Sequence, residues 1–243
     1  MIAPPVFHTL DEAFRYCAEM DAPLADRLNL FSAATRYLLP GYQEAADRVA
    51  ARLTEYGACH GAPMAGDPMP GFILPDERGE LVALQSLLRV GPVTVTFHRG
   101  HWCPYCRINT KALAEAQAMI AAEGAQIVAI MPDREKFAAA FKAETKAPYR
   151  VLTDMDNGYA LSLNLAIWLG EEMNQILSAG GRKVPDYQGN DAWFFPIPAT
   201  FVVGIDGLIT DRFIDPDYRK RMAIDDLLTA VRGARPRRPT LPW

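Results

Sequence analysis

Residues 93–107 read VTVTFHRGHWCPYCR, and this stretch decides the fold. An apolar, β-branched run is followed by two cysteines in C-x-x-C spacing, Cys103 and Cys106. Residues 109–123 then form an alanine-rich helical pattern that ends at Gly124. A strand, a short loop with two thiols and a helix place sulfur at a helix N-terminus, where free backbone N–H groups and the helix dipole favour a thiolate. The pattern therefore indicates thiol redox chemistry.

The composition is that of a globular protein with a substantial core. The chain has 243 residues, half of them hydrophobic, and a net charge of −4. This charge balance argues against a nucleic-acid binder driven by bulk charge. No apolar run approaches the ~18 residues that a membrane span needs, and the N-terminus lacks the basic and apolar regions of a signal peptide. We therefore expect a cytoplasmic protein with neither nucleic acid nor membrane as a partner.

The number and spacing of the cysteines favour a catalytic or metal-binding role over a structural disulfide framework. The chain has four cysteines, too few for a disulfide framework at this length: Cys17, Cys59, Cys103 and Cys106. In a reducing compartment a close pair is more often catalytic or metal-binding than structural. Pro104 fixes φ and suits the first turn of a helix. We expect Cys17 to be buried in a short helix, whereas Cys59 is a weaker candidate for burial and a candidate for redox exchange.

Two alternatives compete with a redox pair. The first is a zinc site in which Cys103 and Cys106 are joined by further ligands from among Cys59, His60, His98 and His101. The chain has no second C-x-x-C and no H-x-x-x-H, which weakens this alternative. The second is a pair of inert thiols in the core, against which the neighbouring charged residues argue. Positive charge at His98, Arg99, His101 and Arg107 is instead expected to lower a thiol pKa.

Two regions are expected, divided by a Gly- and Pro-rich segment at 60–71. Residues 1–60 carry three helical patterns, at 13–20, 23–38 and 42–56, and form an all-helical extension. This extension either packs on the main domain or serves a homodimer contact, and the sequence leaves both open. Residues 61–235 alternate strands and helices and end with a hairpin and a helix, which predicts an α/β domain with a mixed sheet. The hairpin turns at Asp206-Gly207.

Two segments lack a clear pattern. Residues 170–195 have weak periodicity and several glycines, so we expect a long surface insertion that can act as a lid. Residues 236–243 are basic and proline-rich and are expected to form an extended tail.

Three motifs in order resemble the alkyl hydroperoxide reductase/thiol-specific antioxidant (AhpC/TSA) peroxiredoxin family, and within it a group with a thioredoxin-type C-x-x-C. They are GDPMPGFILP at 66–75, GPVTVTFHRGHWCPYC at 91–106 and PIPATFVVGIDG at 196–207. The resemblance implies a thioredoxin-like fold, with a mixed central sheet flanked by helices. It also implies a cysteine-based oxidoreductase that needs no metal, flavin or haem.

Departures from the family motif qualify this resemblance. The family presents F-x-P-x-x-x-T/S-x-x-C, in which the cysteine attacks the peroxide. Counted from Phe97, Cys106 falls on that cysteine, Cys103 on the Thr/Ser and Arg99 on the Pro. Pro198 stands where the family has its peroxide-activating Arg, and in thioredoxin-like proteins a proline at this place is usually cis. Which cysteine attacks first therefore stays open.

The expected function is a thiol-dependent antioxidant activity that reduces hydroperoxides through Cys103 and Cys106. The second possibility is a protein-disulfide reductase, whose substrate is a disulfide. The third is a non-enzymatic redox sensor or zinc-binding module. The expected reducing partner is thioredoxin, a glutaredoxin or glutathione. We expect these residues to shape the site: His98, Arg99, His101, Trp102, Pro104, Pro198 and Thr200.

Overall fold

The structure is a computed structural model that describes residues 5–234. It begins with three helices, α1 (Leu10–Glu19), α2 (Leu24–Leu38) and α3 (Pro40–Glu55). The Thr9 side chain caps α1 by accepting the Glu12 N–H, and Pro40 occupies the first turn of α3. The three predicted N-terminal helices are confirmed, with α1 starting three residues earlier than its apolar pattern indicated.

The remaining helices and strands follow in an alternating order. They are β1 (Ile73–Pro75), β2 (Leu81–Ala83), α4 (Leu84–Leu88), β3 (Val93–Phe97), α5 (Pro104–Ala122), β4 (Gln126–Met131), α6 (Glu135–Thr145), β5 (Arg150–Thr153), α7 (Gly158–Ser162), β6 (Ala166–Trp168), α8 (Glu171–Ala179), α9 (Val184–Gln188), β7 (Phe194–Pro196), β8 (Ala199–Val203), β9 (Ile209–Ile214) and α10 (Ile224–Gly233). A 3-10 turn at Met155–Asn157 precedes α7.

A five-stranded mixed sheet organises the molecule, in the order β5-β4-β3-β8-β9. Strands β3, β4 and β5 are parallel, whereas β8 runs antiparallel to both β3 and β9. Every residue of β3 and β8 is buried, which agrees with their nearly continuous apolar and β-branched sequence. The predicted α/β class, the mixed sheet and the Asp206-Gly207 hairpin are confirmed.

The sheet separates two apolar cores. Because alternate strand residues point to opposite faces, Val93, Val95 and Phe97 face one core together with Phe201. The other core contains the buried residues of α5 and of α1, α2 and α3 in one continuous cluster. The N-terminal helices therefore pack on α5, and the Phe31 and Tyr105 ring centroids are 5.1 Å apart, in an edge-to-face arrangement. The division into regions 1–60 and 61–235 remains a prediction.

Two expectations about the chain are wrong. Residues 170–195 do not lie on the surface alone, since they contain α8, α9 and β7 and bury Leu177, Val184 and Phe195, while their role as a lid stays a prediction. No peptide bond in residues 5–234 is cis, so the cis geometry that the resemblance implied before Pro198 is absent, and the chain enters β8 through the lower-energy trans bond. The expected tail at 236–243 lies outside the described residues.

Among residues 5–234, no helix combines the length and the apolar character needed to cross a membrane.

Candidate active site

The two thiols lie in the first turn of α5. The helix starts at Pro104, five residues earlier than the alanine-rich pattern predicted, because Cys103 serves as the N-cap and a proline is favoured at the first helical position. Cys103 is 1% exposed and Cys106 is fully buried, and neither forms a disulfide in this structure. The strand, loop and helix arrangement of the thiols is therefore as the sequence predicted, although both sulfurs are covered.

The two thiols differ in acidity. Burial opposes ionisation of Cys103, but a hydrogen bond from the Cys106 thiol and the positive charges of Arg99 and Arg221 outweigh it and lower the Cys103 pKa to about 6. Burial, together with the same hydrogen bond and the charge of Cys103, raises the pKa of Cys106 well above its ordinary value. The surroundings thus favour ionisation of Cys103 over ionisation of Cys106.

Arg99 is the buried cation next to this thiolate. Its side chain is 2% exposed, and its guanidinium carbon lies 4.0 Å from the ring centre of Tyr218, 4.8 Å from that of Trp102 and 5.7 Å from that of Phe195. Its Nε and Nη1 atoms have no hydrogen-bond partner among the described residues. Burial disfavours the charged form, yet the Cys103 thiolate raises the pKa of Arg99 above its usual value.

A second cation reaches the pair from the segment between β9 and α10. Arg221 Nη2 donates to Cys106 Sγ at 3.5 Å, and the backbone N–H of Arg99 donates to the same sulfur at 3.4 Å. In the same segment, the Tyr218 ring covers Arg99, and its hydroxyl lies 2.9 Å from that of Tyr42 on α3. Sequence reasoning missed Arg221 and Tyr218; the basic run 219–221 was the available signal.

The sequence also predicted positive charge near the thiols from His98, His101 and Arg107, and the structure gives these side chains other surroundings. Burial and the nearby charge of Arg221 lower the pKa of His98 to about 3, so His98 is neutral and adds no positive charge to the site. This corrects the expectation from sequence. His101 Nε2 lies 3.0 Å from Glu144, and Arg107 pairs with the same carboxylate at 2.6 Å. Glu144 therefore forms a hydrogen bond with the His101 ring and an ion pair with Arg107.

The remaining predicted site residues fall into two groups. Trp102 and Pro104 border a small apolar cavity of about 20 Å³, and the ring centroids of Trp102 and Phe195 are 5.3 Å apart. Pro198 is buried immediately before β8, and Thr200 lies opposite Thr96 of β3. Thr200 thus belongs to the neighbouring strand and Pro198 directly precedes it, whereas Trp102 and Pro104 flank Cys103.

Sequence reasoning also missed Asp133, a buried carboxylate just after β4. Its Oδ2 atom accepts the His101 backbone N–H at 2.7 Å, and its Oδ1 has no partner among the described residues. Burial raises the pKa of Asp133 to about 7, and the negative charge of Cys103 adds to this effect. The topology offered a signal, because the carboxyl ends of the parallel strands β3 and β4 meet at one edge of the sheet.

The other two cysteines are free thiols of low acidity. Burial raises the pKa of Cys17, in α1, to about 11. Burial likewise raises the Cys59 pKa to about 11, and Cys59 packs against the core on the sheet face opposite α5. Within residues 5–234, no three His, Cys, Asp or Glu side chains form a group that could hold a metal ion.

Comparison with known sequences identifies one family. The model of the AhpC/TSA family matches residues 65–212. Chloroplastic peroxiredoxin Q of Suaeda salsa is 32% identical over 92 residues, which amount to 38% of this chain and 42% of that protein. The aligned part thus spans less than half of that relative.

Solved structures share the fold. Peroxidoxin BcpB from Mycobacterium tuberculosis superimposes with a TM-score of 0.56 and 21% identity, covering 72% of this chain and 99% of that one. PrxQ of Xylella fastidiosa gives a TM-score of 0.55 and 11% identity, covering 70% and 96%. These similarities confirm the thioredoxin-like fold that the motifs implied.

Proposed function

Because the chain belongs to the AhpC/TSA family, we propose that it is a thiol-dependent hydroperoxide reductase in which Cys103 attacks and Cys106 resolves. One observation carries the proposal: two buried sulfurs lie in the first turn of α5 near the buried Arg99 guanidinium, and this setting lowers the pKa of Cys103 and raises that of Cys106. A thiolate is the nucleophilic form of cysteine, and the thiol next to it is placed to complete a disulfide.

The proposed reaction balances in two steps. The Cys103 thiolate attacks the terminal oxygen of the hydroperoxide and breaks the O–O bond, giving a sulfenic acid on Cys103 and an alkoxide that is protonated to the alcohol. The Cys106 thiol then attacks the Cys103 sulfur, the S–S bond forms, and water leaves with the proton of the thiol. A dithiol or two thiols return two electrons and two protons and restore the pair.

This order of attack differs from a simple transfer of the family motif. In the family's register Cys106 would attack, but burial and the hydrogen bond to Cys103 raise the pKa of Cys106 and so disfavour it as the nucleophile. Arg99 occupies the proline position of the motif and supplies the cation that Pro198 cannot. We therefore assign the nucleophile to Cys103 and propose that Trp102 and Pro104 shape its surroundings.

A protein-disulfide reductase is the second candidate, favoured by the C-x-x-C itself and by the low pKa of Cys103. Its difficulty is access, because a protein disulfide must reach a sulfur atom of a residue that is only 1% exposed. A hydroperoxide is far smaller, so the burial favours peroxide reduction. Thioredoxin, a glutaredoxin or glutathione as reductant, a homodimer and a cytoplasmic location remain predictions.

The order of attack is tested by rapid mixing with hydrogen peroxide followed by mass spectrometry. We expect Cys103→Ser to abolish peroxide consumption. Cys106→Ser should still form one sulfenic acid on Cys103 but lose turnover. The matched control Cys17→Ser, which removes a buried thiol outside the site, should leave both steps unchanged.

Two outcomes would contradict the proposal. Sulfenylation that persists in Cys103→Ser and disappears in Cys106→Ser would reverse the assigned order. Fast insulin reduction combined with sluggish peroxide consumption would favour the reductase.

A further inference from the structure

A basic groove lies between α2 and the segment that joins β9 to α10, and its wall residue Arg221 contacts Cys106. It encloses about 550 Å³, enough for a small molecule. Its walls carry four cations and one carboxylate: Arg36, Arg219, Lys220, Arg221 and Asp217. Leu28 and Phe213 add apolar surface. The basic groove therefore combines the size of a metabolite site with an excess of positive charge.

Three of the four cations already have carboxylate partners. Arg36 and Arg219 share Asp47, at 2.9 and 2.5 Å, and Lys220 pairs with Asp215 at 2.9 Å. These carboxylates reduce the positive charge of the groove but do not cancel it, because none of them pairs with Arg221.

Arg221 has no carboxylate partner among the described residues. Its Nη1 donates to the backbone carbonyls of Tyr218 and Lys220, its Nη2 contacts Cys106 Sγ, and its Nε is buried without a partner. A guanidinium that lacks an acid partner is a binding group for a carboxylate. This one lies on the groove wall and touches the sulfur, so a ligand in the groove is one side chain away from Cys106.

The chemistry of disulfide reduction selects the same sulfur. In thiol–disulfide exchange the more acidic thiol leaves faster. Cys103 is the more acidic of the two, and Arg99 stabilises its thiolate. The faster route is therefore an attack on Cys106 that expels Cys103, and the side chain in contact with Cys106 is Arg221 of the basic groove.

We propose that the basic groove binds the carboxylate of a small anionic thiol, which reduces the Cys103–Cys106 disulfide by attacking Cys106. This proposal rests on the proposed function, because it concerns the reducing half of that cycle. The ligand's carboxylate pairs with Arg221 and draws it away from the sulfur, while the surrounding cations hold the thiolate in the groove.

The exchange balances as follows. The thiolate RS⁻ forms an RS–Cys106 bond as the Cys103–Cys106 bond breaks, and Cys103 leaves as a thiolate beside Arg99. A second RS⁻ attacks the sulfur of the bound R group, RSSR is released, and the Cys106 thiolate takes up a proton. Two thiols are oxidised and one disulfide is reduced.

The test compares two probes that differ in one charge, 3-mercaptopropionate and its methyl ester. The disulfide is first formed with diamide, so the experiment is independent of any peroxidase activity. Reduction rates are expressed per thiolate, at low salt and in 0.5 M sodium chloride. We expect the carboxylate to react about tenfold faster than the ester at low salt, with the difference shrinking at high salt.

Charge reversal on the groove wall provides the variant. Lys220→Glu should slow the carboxylate several-fold and the ester by less, because the ester carries only the charge of its thiolate. Arg89→Glu makes the same charge change at an exposed arginine outside the groove, and it should affect neither probe. In wild-type protein quenched with acid, the mercaptopropionate adduct should map to Cys106.

Three results would overturn the proposal: equal rates for acid and ester, an adduct on Cys103, or equal effects of Lys220→Glu and Arg89→Glu. Reduction by a thioredoxin that is far faster than by mercaptopropionate and insensitive to Lys220→Glu would also overturn it, in favour of a protein reductant. Failure of the proposed function would look different, because peroxide would then not oxidise the pair at all.

Discussion

At the residue scale, the acidity of Cys103 depends on two nearby cations, the buried Arg99 and the half-buried Arg221. A thiolate removed from water is costly unless a cation or a hydrogen-bond donor is close by. Cys103 has the Cys106 thiol as donor and Arg99 and Arg221 as cations. Arg99 is held by three aromatic rings, so its position does not depend on a carboxylate partner.

The ultraviolet absorbance of the thiolate should report this arrangement. In the reduced protein we expect one thiolate to titrate near pH 6, and peroxide reactivity to fall as the pH drops below that value. Arg99→Met, which retains much of the apolar volume, should raise the midpoint by at least about one unit. A wild-type midpoint close to that of an ordinary cysteine, or no shift in Arg99→Met, would contradict this account.

Sequence reasoning recovered the local part of this site. The site residues at 98–106 were predicted because one continuous stretch runs from the end of a strand into the first turn of a helix. Arg221, which contacts Cys106, and Asp133, which binds the His101 backbone, were missed because only the tertiary fold brings them to the site. His98 was wrongly expected to add charge, because its pKa depends on a burial that the sequence does not specify.

At the scale of elements, α5 is held between the sheet and the N-terminal helices. Phe31 of α2 is 2% exposed and packs edge to face against Tyr105, which lies between the two cysteines in the chain. The Phe31 ring also contacts the ring of Phe14 in α1, with 6.4 Å between the two ring centroids. The N-terminal helices thus cover the turn of α5 that carries the thiols.

Phe31→Ala should therefore affect both stability and access. Loss of a fully buried aromatic side chain costs about 3–5 kcal/mol, to be measured by urea unfolding. We also expect faster alkylation of the cysteine pair, because the cover over Tyr105 is loosened. The control is Tyr37→Ala, at a side chain on the same helix that is 78% exposed, with an expected cost below about 0.5 kcal/mol. Equal losses in the two variants would contradict the packing role of Phe31.

At this scale, how well a helix or strand was predicted from the sequence depended on its length. The long helices and the buried strands were predicted because their periodicity extends over enough residues to be recognised. Residues 170–195 were misjudged because α8 has nine residues and α9 only five, too few to establish a helical period. Their burial comes from contacts with distant elements, such as that of Phe195 with Trp102.

At the scale of the whole molecule, oxidation changes the charge balance of the core. In the reduced protein the buried Arg99 guanidinium faces the Cys103 thiolate. A disulfide removes that negative charge and leaves the cation uncompensated, which costs about 3–5 kcal/mol for a buried pair. The disulfide stabilises the folded protein by only about 2 kcal/mol, because the short C-x-x-C loop restricts the unfolded chain only slightly. The cost exceeds the gain, so the oxidised protein should be the less stable form.

We therefore expect the diamide-oxidised protein to melt several degrees below the reduced protein at pH 7, since a net loss of ~1–3 kcal/mol shifts the melting temperature by a few degrees per kcal/mol. Arg99→Met should abolish or reverse the difference, because no buried charge is left to compensate. Arg134→Met removes an exposed arginine that also lies over an aromatic ring, 5.8 Å from the centre of Phe137, and should keep the wild-type difference. Scanning calorimetry of the reduced and oxidised forms measures this difference. If the oxidised wild-type protein is as stable as the reduced one, Arg99 does not depend on the thiolate for its charge balance.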